Sequence, residues 1–466
     1  MLFTSLGYFV FLPIVFCLYW LVCRNFRQQN VLLLAASYFF YGCWDYRFLL
    51  LLCFSTLLDY YTGIRIDDAA GRAGKRGWLW LSIVVNVGLL GFFKYYNFFA
   101  GTVSKGWTLS WIILPVGISF YTFHGLSYIL DIYYQRIRPH RRWVDYAVFV
   151  SFFPLLVAGP IERATHLLPQ IAAPRTFRRA SAVEGLRRIL WGLFKKVVIA
   201  DQISDYIEWP FLFPGGFSGS TLVICAVLFA IQIYADFSGY TDIALGSAQL
   251  LGIDLVKNFN YPYFSTSLGN FWRRWHISLS TWFNDYLFTP LTVQWRYWGI
   301  HGVALAIICT FLVSGLWHGA AWTFVGWGFL HGVGLTYELY TRKFRKRLFK
   351  SWPVRLVNVM GGLATFGYVT FTLVFFRAKS FHTSLTFLRG IASRSLLWAP
   401  KTLPGGLLVW LTVFIGLECA GRKYVFPLQQ LPVRWPRAVK WGLYLAFLFI
   451  ILMYAGQEQQ FIYFQF

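Results

Sequence analysis

The sequence predicts an all-α polytopic integral membrane protein forming a single membrane domain over residues 1–466. Three observations carry that prediction. Apolar residues fill 58% of the 466 positions and charged residues only 13%, whereas a soluble domain carries about 25% charge. Apolar runs long enough to cross a hydrocarbon layer of roughly 30 Å recur from one end to the other. Such runs must be helices, because that layer has no water to satisfy an open backbone. The short alternating segments of a β-barrel are not seen, and no tandem repeat, low-complexity tract or linker splits the chain.

Taken in order, the first apolar run covers about residues 6–23. It has no basic region before it and no small-residue cleavage site after it, so it is expected to stay as a first helix. Basic clusters then punctuate the chain. They lie at Arg24 and Arg27, at 65–76, at 136–142, from Arg163 to Lys196, at Arg342–Arg347, and from Arg422 to Lys440. Positive charge favours cytoplasmic loops, which places both termini on the extracytoplasmic side and requires an even number of full crossings. About ten to twelve hydrophobic segments are expected, some short enough to be re-entrant. The basic residues of 380–402 fall on the outer side in this scheme and fit it poorly.

The excess of 42 basic over 18 acidic residues gives a net charge of +24. Nucleic acid is a poor partner for a chain this apolar. The lipid bilayer, with its anionic head groups, is the ordinary partner for such charge. An anionic cytosolic donor such as coenzyme A would be attracted by the same loops. The seven cysteines are scattered with no CxxC pair, so neither a disulfide framework nor a metal site is expected.

Polar residues are richest between about 115 and 332, and ionisable groups at membrane depth are expensive. Four segments there could carry chemistry. In Ser314-Gly315-Leu316-Trp317-His318-Gly319 a lone histidine sits in an apolar run. Glycines four apart would clear one helix face around His318 for a close neighbour or a ligand. The alternative is a histidine hydrogen-bonded between helices. In Trp272-Arg273-Arg274-Trp275-His276-Ile277-Ser278-Leu279-Ser280, Trp272, His276 and Ser280 would share one face of a helix. That face could orient a substrate while Arg273 and Arg274 hold phosphates or a carbonyl oxygen. An interfacial helix with snorkelling arginines reads equally well. Asp236 and Asp242, in YADFSGYTD, put two carboxylates in a hydrophobic stretch; Arg273, Arg274 or a histidine are candidate partners, and structural pairing is the ordinary role. His124, after a Pro115/Gly117 interruption, reads as a satisfied interhelical residue. The tail Phe461–Phe466 reads as an aromatic segment at the membrane surface, with Tyr463 as its one hydroxyl. The chain has no HExxH, GxxxxGK[ST], GxSxG or strand-borne GxGxxG, which argues against zinc proteases, nucleotide-driven pumps and serine hydrolases.

The strings WRRWHISLSTW (272–282), SGLWHGAAWTF (314–324), LPVGISFYTFHGLSYILDIY (114–133), YADFSGYTDIALG (234–246) and VAGPIER (157–163) resemble the membrane-bound O-acyltransferase superfamily (MBOAT). The likeness is to its bacterial branch of alginate O-acetylation type, and it runs from the first helix to the C-terminus. It implies a ring of helices around a thin central core pierced by a tunnel, with His318 as the catalytic histidine and His276 as the second histidine. It implies transfer of an acyl group from a cytosolic thioester, acetyl-coenzyme A, toward an extracytoplasmic polysaccharide, with no bound cofactor. An SGNH hydrolase-like partner outside the bacterial inner membrane would complete that transfer. The tail resembles the FxYFxF-like ending of this branch, and related D-alanylation systems load the acyl group on its tyrosine, which makes Tyr463 a candidate acyl relay. Trp317, Asp236 and Ser280 complete the candidate site beside Arg273 and Arg274. The rival readings are a D-alanyl or lipid-directed acyltransferase of the same superfamily, and a transporter using intramembrane His and Asp as a proton relay.

Overall fold

The computed structural model describes residues 1–156, 159–400, 405–430 and 435–456. Among these the secondary structure is helical throughout, with no strand. Six helices are long and apolar enough to cross a membrane, and three shorter apolar helices accompany them. The chain groups into two compact bodies: residues 1–190 with 240–256, and residues 191–239 with 257–466.

The first body is built from α1 (Leu6–Cys17), α2 (Phe26–Gly42), α3 (Arg47–Asp68), α4 (Arg72–Leu90), α5 (Ile118–Tyr133), α6 (Trp143–Ser151) and most of α7 (Arg179–Leu193). Two helix starts follow from short polar side chains that accept from orphan N–H groups. Ser5 accepts from Tyr8 N and Asn25 accepts from Gln28 N. Between helices, buried polar groups satisfy one another. The Asp59 carboxylate accepts from Ser82 (2.6 Å) and Asn86 (2.7 Å), tying α3 to α4. Asn30 on α2 donates to Asp145 on α6 (2.8 Å), which also receives His140 (2.9 Å) and Arg142 (3.3 Å). Lipid tails are as apolar as leucine, so such bonds and close packing, rather than hydrophobic burial, specify which helices meet. Gly125 shows the close packing: a Cβ there would overlap the Asp59 carboxylate.

The second body opens with a π-helical stretch, Phe194–Ala200, leading into α8 (Asp201–Leu212). It continues with α9 (Gly219–Leu250) as far as Gly239, α10 (Leu268–Trp272), α11 (Ile277–Phe283), α12 (Gly299–His318), α13 (Trp322–Leu348), α14 (Val354–Arg377), α15 (Gly405–Gly421) and α16 (Arg437–Tyr454). α12 and α13 form an antiparallel hairpin around residues 319–321. Gly315 lies against the Phe324 carbonyl and Gly328 against the Phe311 carbonyl, so a Cβ at either would overlap backbone. The glycines flanking His318 therefore do admit a close neighbour, which is α13.

Two sequence expectations change here. Trp272, His276 and Ser280 do not share one helix face, because α10 stops at Trp272 and α11 starts after His276. The intervening backbone pairs instead with residues 258–260: Asn260 N donates to Arg274 O and Ile277 N to Asn258 O, both 2.9 Å. Asp236 pairs with Lys196 (2.8 Å), a lysine of the π-helical stretch that the sequence reading did not name as a partner.

Candidate functional site

The site is assembled in the second body, where the end of α12 meets the broken segment between α10 and α11. His276 has φ 43° and ψ 55°, a left-handed conformation that a side-chain-bearing residue adopts rarely and that concentrates at functional sites. The strain is held by the two backbone bonds to residues 258 and 260 and by the side chain of Asn258. Asn258 Oδ1 accepts from Ser278 N (3.3 Å) and Ser278 Oγ (3.0 Å), which fixes it as the carbonyl oxygen. It lies 3.0 Å from His276 Nδ1, so Nδ1 carries the proton and donates. His276 Nε2 is then a lone-pair acceptor, fully buried and without a hydrogen-bond partner among the described residues. A histidine whose tautomer is set by a partner on one nitrogen is primed to take a proton on the other.

The rings of His276, Trp317 and His318 run in series. Trp317 packs on His276 (centroids 6.0 Å) and on His318 (5.0 Å). Phe237 of α9 meets the His276 ring edge-on at 4.6 Å. His318, the last residue of α12, is further enclosed by Trp327 (5.0 Å) and Phe376 (5.4 Å). It lines a cavity of about 10 Å³, room for one water. The rest of the wall is aromatic and aliphatic except for Tyr263 and His331, and Tyr263 donates its hydroxyl to the Ala230 carbonyl. Trp327 also lines the cavity, and its buried indole N–H has no acceptor among the described residues. A buried donor of this kind calls for a ligand or a water.

The other expected residues distribute as follows. Arg273 is exposed, and Arg274 is half-buried with its guanidinium 3.5 Å from the Asn260 carbonyl. Neither lines the cavity beside His318. The Ser280 hydroxyl donates to Trp275 O (3.2 Å). Asp236 belongs to a buried ionic array in which Lys196 also binds Asp201 (2.7 Å) and Lys195 donates to Ser238 (2.8 Å). His124 accepts the Glu162 N–H (3.1 Å) in the first body, a structural role. Tyr463 lies outside the described residues. Among the described residues no group of histidine, cysteine and carboxylate side chains is placed to hold a metal.

Sequence reasoning passed over Asn258, Trp327 and His331. His331 carried a usable signal, a histidine inside an apolar run. Its Nδ1 accepts from Trp272 Nε1 (3.3 Å), so its Nε2 donates to Thr372 Oγ1 (3.0 Å). Both nitrogens are thus engaged, and His331 shapes the cavity rather than serving as its base.

The membrane-bound O-acyltransferase family model matches residues 138–378, which include His276, His318, Asn258 and Trp327. The chain is 39% identical over 387 residues to the probable alginate O-acetylase AlgI of Pseudomonas aeruginosa, covering 80% of this chain and 71% of that one. It is 35% identical over 430 residues to the peptidoglycan O-acetyltransferase of Helicobacter pylori, covering 83% and 79%. It is also 29% identical over 282 residues to the teichoic acid D-alanyltransferase of Bacillus subtilis, covering 58% and 70%.

Proposed function

Because the chain belongs to the membrane-bound O-acyltransferase family, we propose that it moves an acetyl group from a cytosolic thioester, acetyl-coenzyme A, to an extracytoplasmic polysaccharide. The relatives named for alginate and for peptidoglycan O-acetylation support a glycan acceptor; cellulose is of the same chemical kind. The observation that carries the reading is the buried series His276–Trp317–His318 beside a one-water cavity, within the segment that matches the family.

In this mechanism a hydroxyl oxygen attacks the thioester carbonyl carbon. His318 takes the hydroxyl proton and returns it to the departing thiolate, so the C–S bond breaks as the C–O bond forms. The Trp327 indole N–H, an unsatisfied donor on a residue of the cavity wall, serves the developing oxyanion, an effect worth about 3 kcal/mol per donor. His276 offers Nε2 as acceptor for a hydroxyl or water that orients the attacking group. Arg273 and Arg274, outside the cavity, suit the donor's phosphates better than its carbonyl. The hydroxyl that attacks is that of Tyr463 acting as a relay, and an SGNH hydrolase-like partner then completes transfer to the polymer. The enzyme works in the bacterial inner membrane with both termini outside.

The test is transfer from radiolabelled acetyl-coenzyme A by the purified protein in lipid, comparing wild type, His318→Ala and Tyr463→Phe, with mass spectrometry of the C-terminal peptide. Label on Tyr463 that both substitutions abolish is expected, with His318→Ala slowing turnover about 10²–10⁴-fold. Label that needs His318 but not Tyr463 removes the relay and keeps the enzyme. Turnover from a D-alanyl donor and none from acetyl-coenzyme A would sink the choice of donor.

A further inference from the structure

The first body contains a second and larger cavity, of about 240 Å³. Its lining includes Trp20, Gln170, Arg175, Phe177, Arg178 and Ser181, with Asp254 as the one carboxylate. The walls are fixed by bonds made elsewhere. Trp20 Nε1 donates to Leu250 O (2.9 Å). The Gln170 carboxamide both donates to Asp254 O and accepts from Asp254 N, each at 2.9 Å. Arg175 donates to Phe26 O (3.2 Å) and to Asn30, and its guanidinium lies 5.5 Å from the centre of the Tyr19 ring. Gly252, at φ 74°, completes the wall where a Cβ would lie 3.5 Å from the Trp20 indole. The site is therefore preformed, and its two arginines outweigh its carboxylate.

What it takes is indicated by the helix that leads to it. On α1, Leu6, Val10 and Ile14 are 79%, 54% and 54% exposed, and Leu18 and Leu21 continue at 40% and 81%. Four-residue spacing puts Leu6, Val10, Ile14 and Leu18 on one face, an uncovered aliphatic stripe on the helical run that also carries Trp20. Trp20 and Phe177 meet at 5.6 Å, the kind of aromatic pair that sits at head-group level. One helical run thus carries both a stripe suited to acyl chains and, at Trp20, a wall of a basic, hydroxyl-bearing cavity.

We propose that this cavity binds the head-group phosphate of an anionic phospholipid such as phosphatidylglycerol, in the leaflet that faces the basic loops. Arg175 and Arg178 neutralise the phosphate, Ser181 meets the polar head group, and the acyl chains lie along α1. A phosphate is also what coenzyme A and inorganic phosphate would present, but neither has a use for the aliphatic stripe. The site takes no part in the acyl-transfer reading and stands or falls separately.

Native mass spectrometry of the full chain, titrated with phosphatidylglycerol or phosphatidylcholine, tests it. One phosphatidylglycerol is expected to be retained in preference to phosphatidylcholine. Arg178→Glu, at an exposed position, and Ser181→Trp, which fills the cavity, are each expected to weaken that retention tenfold or more. Retention unchanged in both variants would overturn the proposal. So would coenzyme A or inorganic phosphate saturating the site where phosphatidylglycerol does not. Acetyl-transfer activity, measured in the same preparations, reports on the other site alone, so failure of the enzyme reading and failure of the lipid site are told apart.

Discussion

At the scale of single residues, the site depends on one amide that looks ordinary in the sequence. Asn258 fixes the His276 proton on Nδ1 and leaves Nε2 as the acceptor. Asn258→Ala frees the ring to choose the other tautomer and removes one brace of the strained backbone. We expect turnover to fall about 10–10²-fold with KM for the donor little changed; an equal loss in Asn258→Ala and in a Ser278→Ala control would instead indicate general loosening. His318 stood out as a lone histidine in an apolar run, and His276 through the WRRWH string that carries the family resemblance. Asn258 was not, because its work depends on a contact made eighteen residues away in sequence. A second residue-scale prediction concerns His166, which is half-exposed and bonded to the Glu162 carboxylate at 2.8 Å. That hydrogen bond first, and the charges of Glu162 and Asp254 with it, hold the His166 pKa above its usual 6.5 against partial burial. A folded-state pKa above the unfolded one means that the stabilisation is complete below about pH 6.5 and fades as pH rises through the folded value. Thermal unfolding in one detergent from pH 5.5 to 8.5 should show that decline in wild type and less of it in His166→Gln.

At the scale of elements, the π-helical stretch Phe194–Ala200 matters more than its basic sequence suggests. Lys195 and Lys196 read as part of a cytoplasmic cluster, yet both are buried. A π turn re-aims consecutive side chains, and α9 supplies Asp236 and Ser238 to receive them. Phe237, between those two residues, is the ring that meets His276 edge-on, so the ionic array positions one wall of the site. Lys196→Met would strip the shared cation from both Asp236 and Asp201. Loss of one side of a buried pair costs about 3–5 kcal/mol. Asp236→Asn leaves Lys196 with Asp201 and should cost less. Thermal stability in detergent is thus expected to rank wild type, then Asp236→Asn, then Lys196→Met; the reverse order of the two variants would show that Asp236 is held by something other than this lysine. The close approach of α13 to α12 was one of the two outcomes that Gly315 and Gly319 allowed, whereas the break at residues 273–276 was not foreseen. Helical spacing assumes a continuous helix, and the strand-like pairing with residues 258–260 that interrupts it is a tertiary fact.

At the scale of the whole molecule, composition alone carried the class: long apolar runs in a chain this poor in charge leave only helices. Periodicity could not reveal that residues 240–256 group with the N-terminal body while 191–239 group with the C-terminal one, because local pattern is silent on which helices share a core. Orientation is the remaining whole-molecule property that charge speaks to. Five cations stand within Arg342–Arg347 at the C-terminal end of α13, and each Lys or Arg near an anionic leaflet is worth about 1 kcal/mol. That cluster should therefore hold its end of α13 in the cytoplasm, on the side where a coenzyme A thioester is available. With the native cysteines replaced by serine, Lys346→Cys is expected to react with a membrane-impermeant maleimide only after the cells are permeabilised, while a cysteine placed at the N-terminus reacts in intact cells. Labelling of Lys346→Cys from outside would put the basic loops on the acceptor side, and a cytosolic donor would then have to enter from the less basic face.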